Sequence, residues 1–187
     1  MSKGKLFVIS GASGVGKSTV LKKVTAVRSD LLFSVSVTTR SPRPEEIDGV
    51  HYDFITREKF MEMVEQDAFA EYDIHHAACY GTPRSQMEAK QEQGHVILDI
   101  DPNGAYQVRE RYPEVTLIFI TAPSYEELEK RLRNRPDGMS EDKILGRLER
   151  AKWEMEQTGN YDFVVTNDDA DRCANEILNI ISAKEHE

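Results

Sequence analysis

The sequence predicts an α/β fold built on a largely parallel sheet. Short apolar runs that look like buried strands alternate with segments of helical period. A glycine-rich turn, Gly11-Ala12-Ser13-Gly14-Val15-Gly16-Lys17-Ser18, stands where the first apolar run gives way to the first helix. A composition of 39% hydrophobic and 30% charged residues over 187 positions suits one soluble domain with a single well-buried core.

In order, strands are expected at 6–10, 33–37, 95–99, 116–120 and 163–166, and helices at 17–27, 57–66, 83–93, 125–133, 141–157 and 169–183. The first apolar run, after Met1-Ser2-Lys3-Gly4-Lys5, is far too short for a signal segment or a membrane span. Thr82 before Pro83 reads as an N-cap followed by proline at the first helical position, and Ser124-Tyr125-Glu126-Glu127 reads as a capping box. Two stretches break the alternation. Residues 38–81 carry strand-like pieces at 52–55 and 69–74 around one helix, the pattern of an inserted subdomain. Residues 134–140, centred on Pro136-Asp137-Gly138, read as a mobile turn between two charged helices. The core is then 1–37, 82–133 and 141–187.

Charge and cysteine content remove several function classes. With 33 Asp+Glu against 24 Lys+Arg the chain is acidic, which argues against a general nucleic-acid binder. Local cations can still receive a small anion. Cys79 and Cys173 are far apart and suggest no disulfide framework, which fits a reducing, cytoplasmic setting.

The turn at 11–18 matches G-x-x-x-x-G-K-[ST], with a strand before it and a helix after it. Glycines let backbone N–H groups converge on phosphate oxygens at a helix N-terminus. Lys17 adds a point charge at the β/γ phosphates, and Ser18 offers a hydroxyl to Mg²⁺. A nucleoside triphosphate is the expected ligand. Asp99, closing the apolar run Val96-Ile97-Leu98, is placed to organise that metal or its water.

The phosphate acceptor is narrowed by Ser34-Val35-Ser36-Val37-Thr38-Thr39-Arg40-Ser41-Pro42-Arg43-Pro44. Two arginines three apart, stiffened by prolines, can clamp a compact dianion, because a planar guanidinium binds phosphate oxygens bidentately. By composition alone a solvated basic turn is as good a reading.

This segment, followed by Asp48-Gly49-Val50-His51-Tyr52-Asp53-Phe54, resembles the signature of the guanylate kinases. The resemblance continues in order through Glu71-Tyr72, Tyr80-Gly81-Thr82, Leu98-Asp99-Ile100-Asp101, Lys130-Arg131-Leu132 and Val165-Thr166-Asn167-Asp168-Asp169. It implies a P-loop kinase that moves a phosphoryl group from ATP, with Mg²⁺, to GMP. Position by position, it implies that Ser36, Arg40, Arg43, Tyr52 and Tyr80 hold the GMP phosphate. Glu71, Thr82 and Asp101 would read guanine, whose N1–H and 2-amino donors suit carboxylates and whose O6 suits a hydroxyl donor. It assigns residues 11–17 with Ser18 and Thr19 to ATP, Arg131, Arg135 and Arg147 to the transferring phosphates and ATP, and Asn167 to the neighbourhood of adenine. Lys17, Arg40, Asp99, Arg131 and Arg147 are the expected catalytic set.

The chain departs from the family pattern at Ala12, at Glu45, in the lid Asn134-Arg135-Pro136-Asp137-Gly138, and in the loop His76-Ala77-Ala78-Cys79. That loop lacks the usual Gly, Asn and aromatic before Tyr80, so weaker GMP binding is expected from it. Three rivals stay open: a P-loop kinase acting on a phosphorylated sugar, which has no need of Glu71 and Thr82; a non-catalytic guanylate-kinase-like binding module, which has no need of the intact Gly16-Lys17-Ser18; and a P-loop GTPase, which leaves the two arginines unexplained.

Overall fold

The computed structural model describes residues 3–75, 77–134 and 140–186. Its strands, in chain order, are β1 (Leu6–Gly11), β2 (Leu32–Phe33), β3 (Ser36–Thr38), β4 (Tyr52–Phe54), β5 (Phe69–Ile74), β6 (Cys79–Pro83), β7 (Val96–Asp99), β8 (Thr116–Thr121) and β9 (Phe163–Thr166). Its helices are α1 (Lys17–Val27), α2 (Arg57–Glu65), α3 (Arg84–Gln91), α4 (Pro102–Arg111), α5 (Tyr125–Arg133), α6 (Glu141–Glu156) and α7 (Ala170–Glu185). The fold is α/β with parallel core strands. Among the described residues no helix is long and apolar enough to cross a membrane.

The chain forms two compact units. One takes in the described residues of Phe7–Asp30 and Thr116–Glu187. There β1, β8 and β9 run parallel, with Ser10 beside Phe119 and Phe119 beside Val164. Phe7, Val8, Ile9, Leu117, Ile118, Phe119 and Ile120 are buried, as expected for parallel strands shielded on both faces. Helices α1 and α7 pack on each other, and Leu132, Ile144 and Leu148 join α5 to α6 in one apolar cluster. The expected cap at Ser124 forms, its Oγ accepting from the Glu127 N–H at 3.1 Å. The Glu127 carboxylate pairs with Arg131.

The other unit takes in the described residues of Met1–Leu6 and Leu31–Val115. Here β2 pairs parallel with β7, and a four-stranded sheet runs β4-β3-β6-β5. Its β3–β4 pairing is parallel, and β6 is antiparallel to both β3 and β5. Val37, Phe60, Phe69 and Cys79 form its buried cluster, with Phe60 stacked on Phe69 at 4.6 Å between centroids.

Three local expectations change. The run 33–37 is divided, because Leu32–Phe33 pairs with β7 while Ser36–Thr38 pairs with β4 and β6. Thr82 is a strand residue of β6, and the helix after it begins at Arg84 with Pro83 as its cap position. Helix α4 has no counterpart among the expected helices, since Pro102 and Gly104 in its first turn interrupt the helical pattern. Asp101 caps the helix, accepting from the Gly104 N–H at 2.9 Å, and Pro102 takes a first-turn position where no N–H is needed.

Candidate active site

The glycine-rich turn links β1 to α1, and two of its glycines hold backbone angles that side chains resist: φ is 87° at Gly14 and 92° at Gly16. A Cβ at Gly14 would also come within 2.7 Å of Leu132, and one at Gly16 within 2.9 Å of the Asn167 amide. The loop's own N–H groups divide into two sets. Ala12 N–H bonds to Ile120 O, Val15 N–H to Ala12 O, and Ser13 N–H to the Glu154 carboxylate at 2.8 Å. Those of Gly14, Gly16 and Ser18 have no hydrogen-bond partner among the described residues, so they are the donors left for an anion at the start of α1.

Side chains predicted to meet the nucleotide also shape this loop. Asn167, buried after β9, donates from Nδ2 to Val15 O at 2.7 Å. Arg131 on α5 donates from Nη1 to Val15 O and Asn167 O, at 3.2 and 3.0 Å, and from Nε to Glu127. Beside them lies an open cleft of about 310 Å³, lined by Val15, Gly16, Thr19, Arg131, Asn167, Asp168 and Ala170. Lys17 and Ser18 open the first turn of α1. Arg147 lies half-buried on α6. Arg135 and most of the expected lid lie outside the described residues, as does His76.

The predicted acceptor residues gather on the four-stranded sheet. Ser36 pairs in register with Tyr52, and Thr38 with Tyr80. Arg40 follows β3 and lies over the Tyr52 ring at 5.0 Å and the Phe54 ring at 5.7 Å, with the Tyr52 and Tyr80 rings edge to face at 6.2 Å. Its guanidinium binds Glu46 bidentately at 2.6 Å per contact, and Nη1 also donates to Ser41 O. Glu46 further accepts from the Arg43 N–H at 2.9 Å. The hydrogen bonds from Arg40, then from Arg43, hold the Glu46 carboxyl down at about 2. The Arg43 side chain is exposed.

Glu71 and Thr82 face each other across the β5–β6 ladder, so their side chains share one face. Both are buried, and the Thr82 hydroxyl donates to Glu71 Oε1 at 2.5 Å. Burial pushes the Glu71 carboxyl up to about 7 against the downward pull of Thr82, and the charges of Asp101 and Asp73 add to the rise. Asp101 is thus a near neighbour of Glu71 as well as the cap of α4. Gly104, in the first turn of α4, is where a Cβ would approach Glu71 Oε2 to 2.7 Å. Asp99, at the end of β7, is exposed. Among the described residues no group of three or more His, Cys, Asp and Glu side chains could hold a metal ion.

Sequence reasoning missed Glu46, Gly104 and Glu154. Glu46 follows another acid in an acidic chain, Gly104 sits in a turn-like tetrapeptide, and Glu154 is one acid of Glu154-Met155-Glu156. Gly104 and Glu154 have no local signal, since each acts on a residue it meets only in the fold, whereas Glu46 reaches Arg40 and Arg43 within its own turn.

The family model for guanylate kinase matches residues 3–184. The chain is 44% identical over 183 residues to a guanylate kinase of Thermus thermophilus, covering 97% of this chain and 82% of that protein. To one from Prochlorococcus marinus subsp. pastoris it is 43% identical over 180 residues, covering 96% and 97%. The crystal structure of guanylate kinase from Anaplasma phagocytophilum superposes with a TM-score of 0.81 at 31% identity, covering 100% of this chain and 89% of the other.

Proposed function

Because this chain belongs to the guanylate kinase family and moves the γ-phosphoryl group of ATP to GMP, giving ADP and GDP, we propose that residues 11–19 receive ATP while Ser36, Arg40, Arg43, Tyr52, Glu71, Tyr80, Thr82 and Asp101 receive GMP. The observation that supports the acceptor half best is the buried Glu71–Thr82 pair. Guanine presents N1–H and a 2-amino group to carboxylates, whereas adenine has no such donor pair and would leave Glu71 unmatched in a closed site. With its single proton directed at Glu71, the Thr82 hydroxyl must rotate if it is to donate to guanine O6.

On the donor side, the Gly14, Gly16 and Ser18 N–H groups bind phosphate oxygens, and Lys17 neutralises charge on the migrating group. Arg131 and Arg147 stabilise the transferring phosphates, and Arg131 and Asn167 keep Val15, and so the cradle, in shape. Adenine takes the cleft beside Asn167. The hydroxyl of Ser18 and the carboxylate of Asp99 are hard oxygen donors of the kind Mg²⁺ accepts alongside substrate phosphates, directly or through water. Mg²⁺ bound with ATP would supply charge neutralisation. Transfer then needs positioning and electrostatics more than a strong protein base. The 38–81 segment serves as the monophosphate subdomain and 134–140 as the lid. The protein works in the cytoplasm, in purine nucleotide metabolism, with neither nucleic acid nor membrane as partner.

The test is a coupled ADP-release assay over a panel of nucleoside monophosphates and sugar phosphates. GMP should be turned over far faster than AMP or any sugar phosphate. A preference for either of those would remove the Glu71–Thr82 reading and leave the ATP cradle standing.

A further inference from the structure

Glu154 stands outside every role described so far. It lies near the C-terminal end of α6, is buried, and among the described residues makes two hydrogen bonds: Oε2 accepts from the Ser13 N–H at 2.8 Å, and Oε1 accepts from Arg150 Nε at 3.0 Å. Arg150 is itself braced, with its guanidinium over the Trp153 ring at 4.6 Å. A carboxylate taken out of water is costly unless its oxygens are matched. Here one oxygen meets a cation and the other meets a main-chain amide 141 residues away.

That amide belongs to the glycine-rich loop. If Ser13 N–H were left without a partner, among the described residues only the two main-chain bonds of Ala12 would hold the segment between Gly11 and Gly14, and the Ser13 amide could turn inward, where a triphosphate gathers donors. Glu154 removes that alternative by charge as well as by geometry, since a carboxylate accepting a main-chain N–H makes a charge-assisted bond. The helix that carries it also carries Arg147, seven residues earlier and so on the same face, about 10 Å along the axis. One side chain therefore fixes the helix bearing a proposed transition-state arginine to the loop that holds the migrating phosphate. A misplacement of about an ångström between such groups is costly to turnover.

We infer that Glu154 is a positioning residue for phosphoryl transfer, which holds the Ser13 end of the ATP cradle and ties it to α6. The inference rests on the reading of residues 11–19 as the ATP site. It assigns Ser13 N–H to the scaffold and leaves Gly14, Gly16 and Ser18 as the cradle's working donors.

The experiment compares Glu154→Ala and Glu154→Gln in the full chain. It measures kcat and the KM of each substrate with the other saturating, together with a melting curve to fix the folded fraction. Glu154→Ala should raise the KM for ATP about tenfold or more and lower kcat, with the KM for GMP within about twofold of wild type. Glu154→Gln should recover most of the loss, because its amide oxygen still accepts from the Ser13 N–H. If Glu154→Ala does not fold, Glu154→Asp replaces it, since it keeps the charge but withdraws the oxygens by one methylene and should show the same ATP-selective defect. Wild-type constants for the Ala or Asp variant would overturn the inference. A Gln variant as impaired as Ala would overturn it too, because the anchoring bond would then not be what matters. Lys17→Ala is the control for the underlying reading. If that variant handled ATP normally, the cradle assignment itself would fall, and the Glu154 inference with it.

Discussion

Arg40 and Glu46 face each other as a bidentate ion pair, Nη1 to Oε2 and Nη2 to Oε1, both at 2.6 Å. The carboxylate takes the end of the guanidinium, and Ser41 O takes a further Nη1 hydrogen. Nε–H and the remaining Nη2 hydrogen form a second fork on the side of the same plane. The Tyr80 side chain also hydrogen-bonds this guanidinium, so an anion reaching the side edge would meet Arg40 and Tyr80 together while Glu46 keeps the end. The Glu46 carboxylate holds Arg40 in one rotamer over Tyr52 and Phe54.

Arg40→Ala should accordingly act on the acceptor substrate alone. Loss of charge-assisted bonds worth roughly 1.5–3 kcal/mol should raise the KM for GMP by about 10- to 100-fold. The KM for ATP should stay within about twofold. Initial-rate kinetics with each substrate varied would decide it, and equal effects on both would take Arg40 out of the acceptor site.

Glu71 gives a pH dependence with a definite sign. Guanine recognition needs its carboxylate ionised, and burial holds the group neutral up to about 7. GMP affinity should therefore weaken as pH falls below about 7, by at most about tenfold per pH unit. The second ionisation of the GMP phosphate, near pH 6, contributes as well. Glu71→Gln isolates it, because only the phosphate titrates in that variant. Titration calorimetry at pH 5.5 to 8.5 on both proteins is the measurement, and identical pH profiles would contradict the assignment.

The same group governs stability in the absence of ligand. A carboxyl raised above its unfolded value contributes stability that is fully present below pH 4.5 and lost as pH rises through about 7. The total is on the order of 3 kcal/mol. Measured against Glu71→Gln, the wild-type Tm should drop across the window from pH 4.5 to 7 and be flat above about 8.

Gly104→Ala tests how tightly Glu71 is aimed. On helix propensity alone the change should help α4 by roughly 0.5–1 kcal/mol. The new methyl, however, would come within 2.7 Å of Glu71 Oε2 and 3.2 Å of its carboxyl carbon, so the carboxylate must turn away. Stability should stay near wild type while the KM for GMP rises about tenfold and the preference for GMP over AMP shrinks. Unchanged base selectivity would mean that Glu71 has room to spare.

The loop before Tyr80 is better braced than its sequence suggested. The Cys79 side chain is fully buried against Val37, Phe60 and Phe69. Its N–H donates to Thr39 Oγ1 at 2.8 Å, and its carbonyl accepts from the Thr38 hydroxyl and the Thr39 N–H at 2.9 and 3.1 Å. Replacing this small side chain by the family's aromatic should overpack the cluster by about 1–3 kcal/mol. Cys79→Tyr is therefore expected to lower Tm without tightening GMP. A tighter GMP complex in that variant would restore the view that the departures at 77–79 weaken acceptor binding.

The sequence by itself determined the α/β class, the glycine-rich turn between β1 and α1 and the charged turn around Arg40 and Arg43, because each is written in local chemistry. Glycines at 14 and 16 set a backbone path, apolar runs of strand length set buried parallel strands, and two arginines three apart set a charged turn. It also carried enough of the family pattern to single out Glu71 and Thr82, which the fold pairs across one ladder, although neither residue has a local signal. What the tertiary structure decided is the partner of each group. Whether 33–37 is one strand or two depended on which ladder claimed each end. The raised Glu71 carboxyl, the Arg40–Glu46 pair and the Ser13–Glu154 bond follow from burial and hydrogen bonding. These depend on which atoms come within about 3 Å of each other, and for Ser13 and Glu154 that contact spans 141 residues of chain.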